Sequence, residues 1–270
     1  MNFKKKDMYF VSTILFLMFF SIACQQSPAP EFNESVSVLC VLQANSKKQI
    51  AFVHRTTKYS TDIFQSGGKA HLIEILEPLF YYTASVSILK NDHQYDFRIE
   101  RVNVMEGNYH QFVLQTDSTL IHPGESYKLW VKTEDMEIQG NVIIPGEFRI
   151  ISPVEDQHVQ HGQDVSLTIS WEVSAHAELY RIFLYSPTIW SPDSTLIQRG
   201  RETLLAETSD TTVGDLMVKL DYPGEYRIKV LAFDRNFFKH YIENVDRVGL
   251  NNGYGVLGSV VADSVRFIVD

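Results

Sequence analysis

Asp156, His158, His161 and Asp164 place two carboxylates and two imidazoles within nine residues, a donor set suited to zinc or another divalent cation. They precede an alternating apolar stretch, in the kind of loop where polar residues are common, so a solvated loop is the simpler expectation and no metal is assigned. Gly253, Gly255 and Gly258 match G-x-G-x-x-G letter for letter. Pyrophosphate binding through that motif needs a strand before it and a helix start after it, so that backbone N–H groups and the helix dipole meet the phosphates. Asn251-Asn252 precede it here and a strand follows, so a glycine-rich turn packed against the last strand is expected, with no dinucleotide or other cofactor. Trp130, between Lys128 and Lys132, falls out of phase with Tyr127, Leu129 and Val131, while Tyr185, Trp190 and Tyr254 fall near turns. Exposed rings stack on sugars or anchor protein partners, and these four are the candidate binding residues. The sequence carries no nucleophile elbow, zincin helix or phosphate loop. Catalysis is not expected; a hydrolase would need groups distant in sequence to converge in a polar cleft.

The remaining reactive type is cysteine, of which there are two. Cys40 lies in phase with Val36 and Val38 in an apolar stretch and reads as a small buried hydrophobe. Cys24 has a different setting. Lys4, Lys5 and Lys6 precede an apolar run from Met8 to Phe20, and Ser21-Ile22-Ala23 lead into it. This is a secretory signal, too short to span a hydrocarbon core that needs ~20 helical residues. Cys24 at the cut resembles a bacterial lipobox, which implies acylation of its thiol by palmitate-type chains and cleavage after residue 23. Two or three acyl chains, at ~0.8 kcal/mol per buried methylene, hold a protein on a bilayer nearly permanently. Removal of residues 1–23 takes away three lysines and one aspartate and moves the net charge from −9 to −11. An acidic chain of that kind lacks the electrostatic basis for binding nucleic acid, or an anionic membrane through a basic patch.

The elements that must position these residues are strands. With 44% hydrophobic and 21% charged residues over 270 positions, the composition supports packed cores and excludes disorder and collagen. Ala84, Val86 and Ile88 alternate with serines, and Tyr95, Phe97 and Ile99 with polar residues, across a turn containing Asn91-Asp92: a hairpin with one wet face. Pro123-Gly124 leads into Tyr127, Leu129 and Val131, and Pro223-Gly224 into Tyr226, Ile228 and Val230. This repeated device predicts two sandwich domains, with a break between Ile144-Pro145-Gly146 and Ser152-Pro153. The expected organisation is a signal peptide at 1–23, a lipidated tether at 24–35, and β domains at 36–146 and 147–270. Tyr59 to Tyr81 reads as an insertion that holds a short helix. Phe237, Phe238, Tyr241, Ile242 and Val245 have helical spacing after Asn236 as an N-cap, and a last strand is expected over Ser264 to Val269.

The two Pro-Gly strands, together with Trp171 in one strand and Leu179 to Tyr185 in the next, resemble fibronectin type III and immunoglobulin-like modules. The resemblance implies a tyrosine corner, which one fewer residue between Pro223 and Tyr226 alters in the second copy. Over the mature chain, Cys24, Pro123, Gly124, Tyr127, Ile144, Pro145, Phe237, Phe238, Tyr241, Gly253, Gly255 and Gly258 fall in an order similar to Bacteroidota lipoproteins grouped as domain of unknown function 4249. Members of that group often accompany TonB-dependent transporters. No Asp follows Cys24, which by resemblance to Gram-negative sorting favours the outer membrane, on the periplasmic or the surface face, and the family resemblance implies an accessory partner of such a transporter. A glycan- or small-solute-binding lipoprotein is the alternative.

Overall fold

The computed structural model describes residues 35–56, 79–104, 107–191, 193 and 196–270. The signal segment, Cys24, nearly all of the tether, and most of the 59–81 insertion with its expected helix lie outside the described residues. Residues 35–270 form one compact unit. Among its described residues, no helix is long and apolar enough to cross a membrane.

The first half supplies β1 (Val36–Gln43), β2 (Lys48–Arg55), β3 (Ser85–Lys90), β4 (His93–Asp96), β5 (Arg98–Val104), β6 (Gly107–Gln115), β7 (Ser126–Lys132) and β8 (Glu137–Ile143). Period-two patterning sets their inner face: Val36, Val38, Cys40 and Leu42 on β1 are all buried, as are Tyr127, Leu129 and Val131 on β7. The β3–β4 hairpin closes through Asn91 and Asp92, both at positive φ (47° and 63°), the conformation that a two-residue turn matching strand twist requires.

The second half supplies β9 (Ile150–Ser152), β10 (Gln157–Val159), β11 (Gly162–Trp171), β12 (Ala177–Ser186), β13 (Ile189–Trp190), β14 (Leu196–Gln198), β15 (Arg201–Thr208), β16 (Thr212–Leu220) and β17 (Gly224–Asp234). Helix α1 (Arg235–Tyr241) follows, then β18 (Arg247–Val248), β19 (Leu250–Asn251) and the 16-residue β20 (Tyr254–Val269). The protein is all-β, with α1 the α-helix among the described residues. The main sheet runs β15-β12-β17-β20-β1-β2-β6-β5. In the first half it faces β19-β8-β7-β3-β4, and in the second it faces β16-β11-β9, with a continuous apolar cluster between the layers. Both halves are sandwiches of the immunoglobulin and fibronectin type III kind.

Two expectations are amended, the start of the last strand and the bounds of the helix. The last strand starts at Tyr254, ten residues earlier than Ser264, and takes in Gly255 and Gly258. Gly255 has φ +95°, and a Cβ there would stand 2.1 Å from the Val38 carbonyl oxygen, so only glycine lets β1 approach. β20 then serves both halves: Tyr254–Val260 pairs in parallel with Ser37–Gln43, and Val260–Val269 pairs antiparallel with Gly224–Phe233. The linear ranges 36–146 and 147–270 leave this sharing out. Helix α1 is capped by Asp234, not Asn236, because the Asp234 carboxylate accepts the Phe237 N–H at 3.0 Å. It ends at Tyr241, short of Val245.

Candidate functional site

The two Pro-Gly strands carry their tyrosines as the spacing requires. The Tyr127 hydroxyl donates to Leu120 O at 2.8 Å and accepts from the His122 N–H at 3.0 Å, a corner that ties β7 to the preceding loop. Glu125 lies 2.6 Å from the same hydroxyl and pairs with Lys90 at 2.6 Å. Hydrogen bonds from Lys90 and Tyr127 hold the Glu125 carboxyl below the usual carboxylate range. With one residue fewer, the Tyr226 hydroxyl reaches back only to Tyr222 O, at 3.1 Å.

The corner at Tyr127 and the capping Asp234 stand on opposite walls of a cleft of about 840 Å³ between the two halves. One wall is the Asn91-Asp92 turn with Lys128 of β7 and Asn141 and Ile143 of β8; the other is His176, Glu178 and the start of α1. Asn236 fixes the floor, donating to Asn141 O at 3.3 Å and Leu257 O at 2.9 Å. Burial pushes the Asp234 carboxyl up to about 6, against the backbone N–H groups of Phe237, Ser259 and Asn236 that favour its charged form. At the rim, cations (Lys128, Arg235) and anions (Asp92, Glu178) are exposed together with Ile143, which is 45% exposed. Sequence reading missed this cleft, because its walls come from segments far apart in the chain, from Asn91-Asp92 on one side to Asp234-Asn236 on the other; the paired Asn91-Asp92 turn was its only local trace.

The four sequence-selected aromatics are not brought together. Trp130 lies half-buried on the outer face of β7, opposite Ser87 and Gln139, with its indole nitrogen enclosed and unpartnered. Tyr254 opens β20 under the Arg247 guanidinium, 4.0 Å from the ring centre. Tyr185 lies one residue before the end of β12, its hydroxyl pushed up to about 12 by burial and by Glu202. Trp190 is 59% exposed in the small β13–β14 hairpin. A sugar platform built from these four has no shared surface.

The metal donors are taken up by other partners. Asp156 pairs with Arg266 at 2.8 Å. His158 and His161 each turn Nδ1 to Asp270, the first to its carboxylate at 2.8 Å, the second to its main-chain oxygen at 2.7 Å. Asp164 lies within β11, and its side chain is outside the description. Among the described residues no group of three or more His, Cys, Asp or Glu is placed to hold a metal ion. Cys40 is buried on β1, and burial pushes its thiol up to about 12, away from nucleophilic use.

An array of rings that the sequence reading did not single out follows the β1-β2-β6 part of the main sheet to its end. Tyr109, Phe52, His54, Phe80 and Tyr82 succeed one another with ring centres 4.9–6.2 Å apart, and Tyr82 meets His110 at 4.9 Å. Tyr82 is 50% exposed.

No protein-family model matches the chain, so the resemblance to domain of unknown function 4249 gains no support there, and no curated protein matches either. Solved structures that match include FN3tt (17% identity, 47% of this chain and 91% of that one, TM-score 0.20). The fibronectin(III)-like modules of Clostridium thermocellum CbhA match at 14% identity over 87% and 94% of the two chains, with TM-score 0.22. The first two immunoglobulin domains of DIP-gamma match at 12% over 88% and 98%, with TM-score 0.20. At these scores the description of the fold rests on the strand pairing itself.

Proposed function

We propose that the chain is a lipid-anchored binding protein of the cell envelope, held at the outer membrane through an acylated Cys24, and that it acts by engaging a partner protein in the cleft between its halves rather than by catalysis. The observation that carries this reading is the lining of the cleft. Charges of both signs and carboxamides stand beside an exposed isoleucine, the mixed polar and apolar character of a protein interface, and among the described residues no exposed phenylalanine, tyrosine or tryptophan lines it as a sugar subsite would require. The partner class, an outer-membrane TonB-dependent transporter, comes from the lipoprotein resemblance.

Site-directed photo-crosslinking tests this reading. With Cys24 acylated and the Cys40 thiol unreactive, Asn141→Cys introduces one labelling site in the cleft. A crosslinker there should form an adduct with an outer-membrane protein in membranes of the source organism, and Asp210→Cys, on the exposed loop between β15 and β16, should not. No adduct at 141, or the same adduct at both positions, overturns the cleft as the partner site.

A further inference from the structure

The tether is expected to enter the fold at one end of the first sandwich. Ser35 is clasped there: the Thr56 N–H donates to Ser35 O at 2.8 Å, and the Ser35 N–H donates to Thr56 Oγ1 at 2.9 Å. Val36 pairs with Arg55, and the β5–β6 register places Arg101 opposite His110 towards the same end. The ring array from Tyr109 to Tyr82 ends here, with Arg55 and Arg101 exposed beside it and the Arg55 guanidinium 4.6 Å over the Tyr81 ring. Half-exposed tyrosines with neighbouring arginines are the combination that settles at the level of lipid headgroups, the rings in the interface and the cations on phosphate. Glu134, Asp135 and Glu137 sit at the β7–β8 turn of the facing sheet, which confines a favourable approach to the β1-β2-β6 side.

Chain length selects the occupant. From Cys24 to Ser35 there are eleven residue steps, which reach at most roughly 40 Å when fully extended. β20 starts at this end and runs roughly 50 Å to Val269 in the second half. An anchor on so short a lead keeps the ringed end close to the bilayer.

We propose that the β1-β2-β6 end of the first sandwich, through Tyr82, Phe52, Tyr109, Arg55 and Arg101, rests on the phosphate-bearing headgroup layer and holds the second half away from it. This rests on acylation at Cys24, and the test separates the two. The full-length acylated protein, carrying Asn108→Cys labelled with a fluorophore, is reconstituted into vesicles of phosphatidylethanolamine and phosphatidylglycerol containing a headgroup-level quencher lipid. Quenching at 108 and none at a label on Asp210→Cys is the expected result. Arg55→Glu and Arg101→Glu should each lower the fraction of quenched label by roughly fivefold while the protein still floats with the vesicles. Flotation without quenching at 108 overturns the surface and leaves the anchor standing; failure to float overturns both. Shielding of the same label from a water-soluble quencher in the Cys24→Ser chain without vesicles assigns the surface to a second copy and overturns the lipid contact.

Discussion

Two side chains illustrate how single groups set local stability. The Tyr127 hydroxyl meets a carbonyl, an N–H and a carboxylate, whereas that of Tyr226 meets one carbonyl. Tyr127→Phe should cost about 2–3 kcal/mol and Tyr226→Phe about 1 kcal/mol, because each lost bond contributes roughly 1 kcal/mol net and unpaired buried partners add to it. Equal shifts in urea midpoint for the two variants would contradict this account. Asp234 makes stability depend on pH. Its carboxyl titrates at about 6 in the folded protein, above the ~3.9 of an unfolded aspartate, so the folded state holds the proton more tightly. The contribution is fully present below about pH 4 and is lost as pH rises through about 6, on the order of 3 kcal/mol in all. Asp234→Asn keeps an N-cap acceptor without the charge, and should flatten urea midpoints between about pH 4 and pH 7.

At the scale of elements, Gly255 decides whether β1 can join β20. Gly255→Ala should destabilise the protein by about 2–4 kcal/mol, through a clash with the Val38 carbonyl and a strained positive φ. Thermal denaturation within 1 kcal/mol of the parent chain would contradict so close an approach. The same glycine marks where sequence reading reached and where it stopped. Alternation located the strands around Tyr127, Trp171 and Tyr226, and the Asn91-Asp92 turn was legible, because both signals are local; the strand expected to run on from Tyr95 through Ile99 instead breaks at Phe97 and passes to β5 in the main sheet. The start of β20 was not: Gly255 and Gly258 lower strand propensity, and the Val38 carbonyl that Gly255 admits is more than two hundred residues away in sequence. The N-cap was misplaced by two residues, because Asp234 and Asn236 are equally good cap types and the choice depends on how β17 delivers the chain. The cleft, the ring array and the dispersal of the four candidate aromatics are products of long-range pairing, on which periodicity is silent.

For the whole molecule, the shared strand predicts joint behaviour. Since β20 completes the main sheet in both halves, unfolding one half strips a strand from the other. Calorimetry should show one transition, with van't Hoff and calorimetric enthalpies equal, and Gly255→Ala should shift the fluorescence change of Trp171 in the far half as much as any first-half probe. Two resolved transitions would mean that the halves melt as neighbours rather than as one body. The direction of the β1–β20 pairing has a mechanical consequence. β1 runs parallel to β20, entering beside its start, while the far end of β20 lies in the other sandwich. A load applied between the start of β1 and that far end would strain seven residue pairs side by side, sliding the two strands past one another instead of peeling them apart. Pulled between those two points, the fold should resist longer than one whose strands unzip pair by pair.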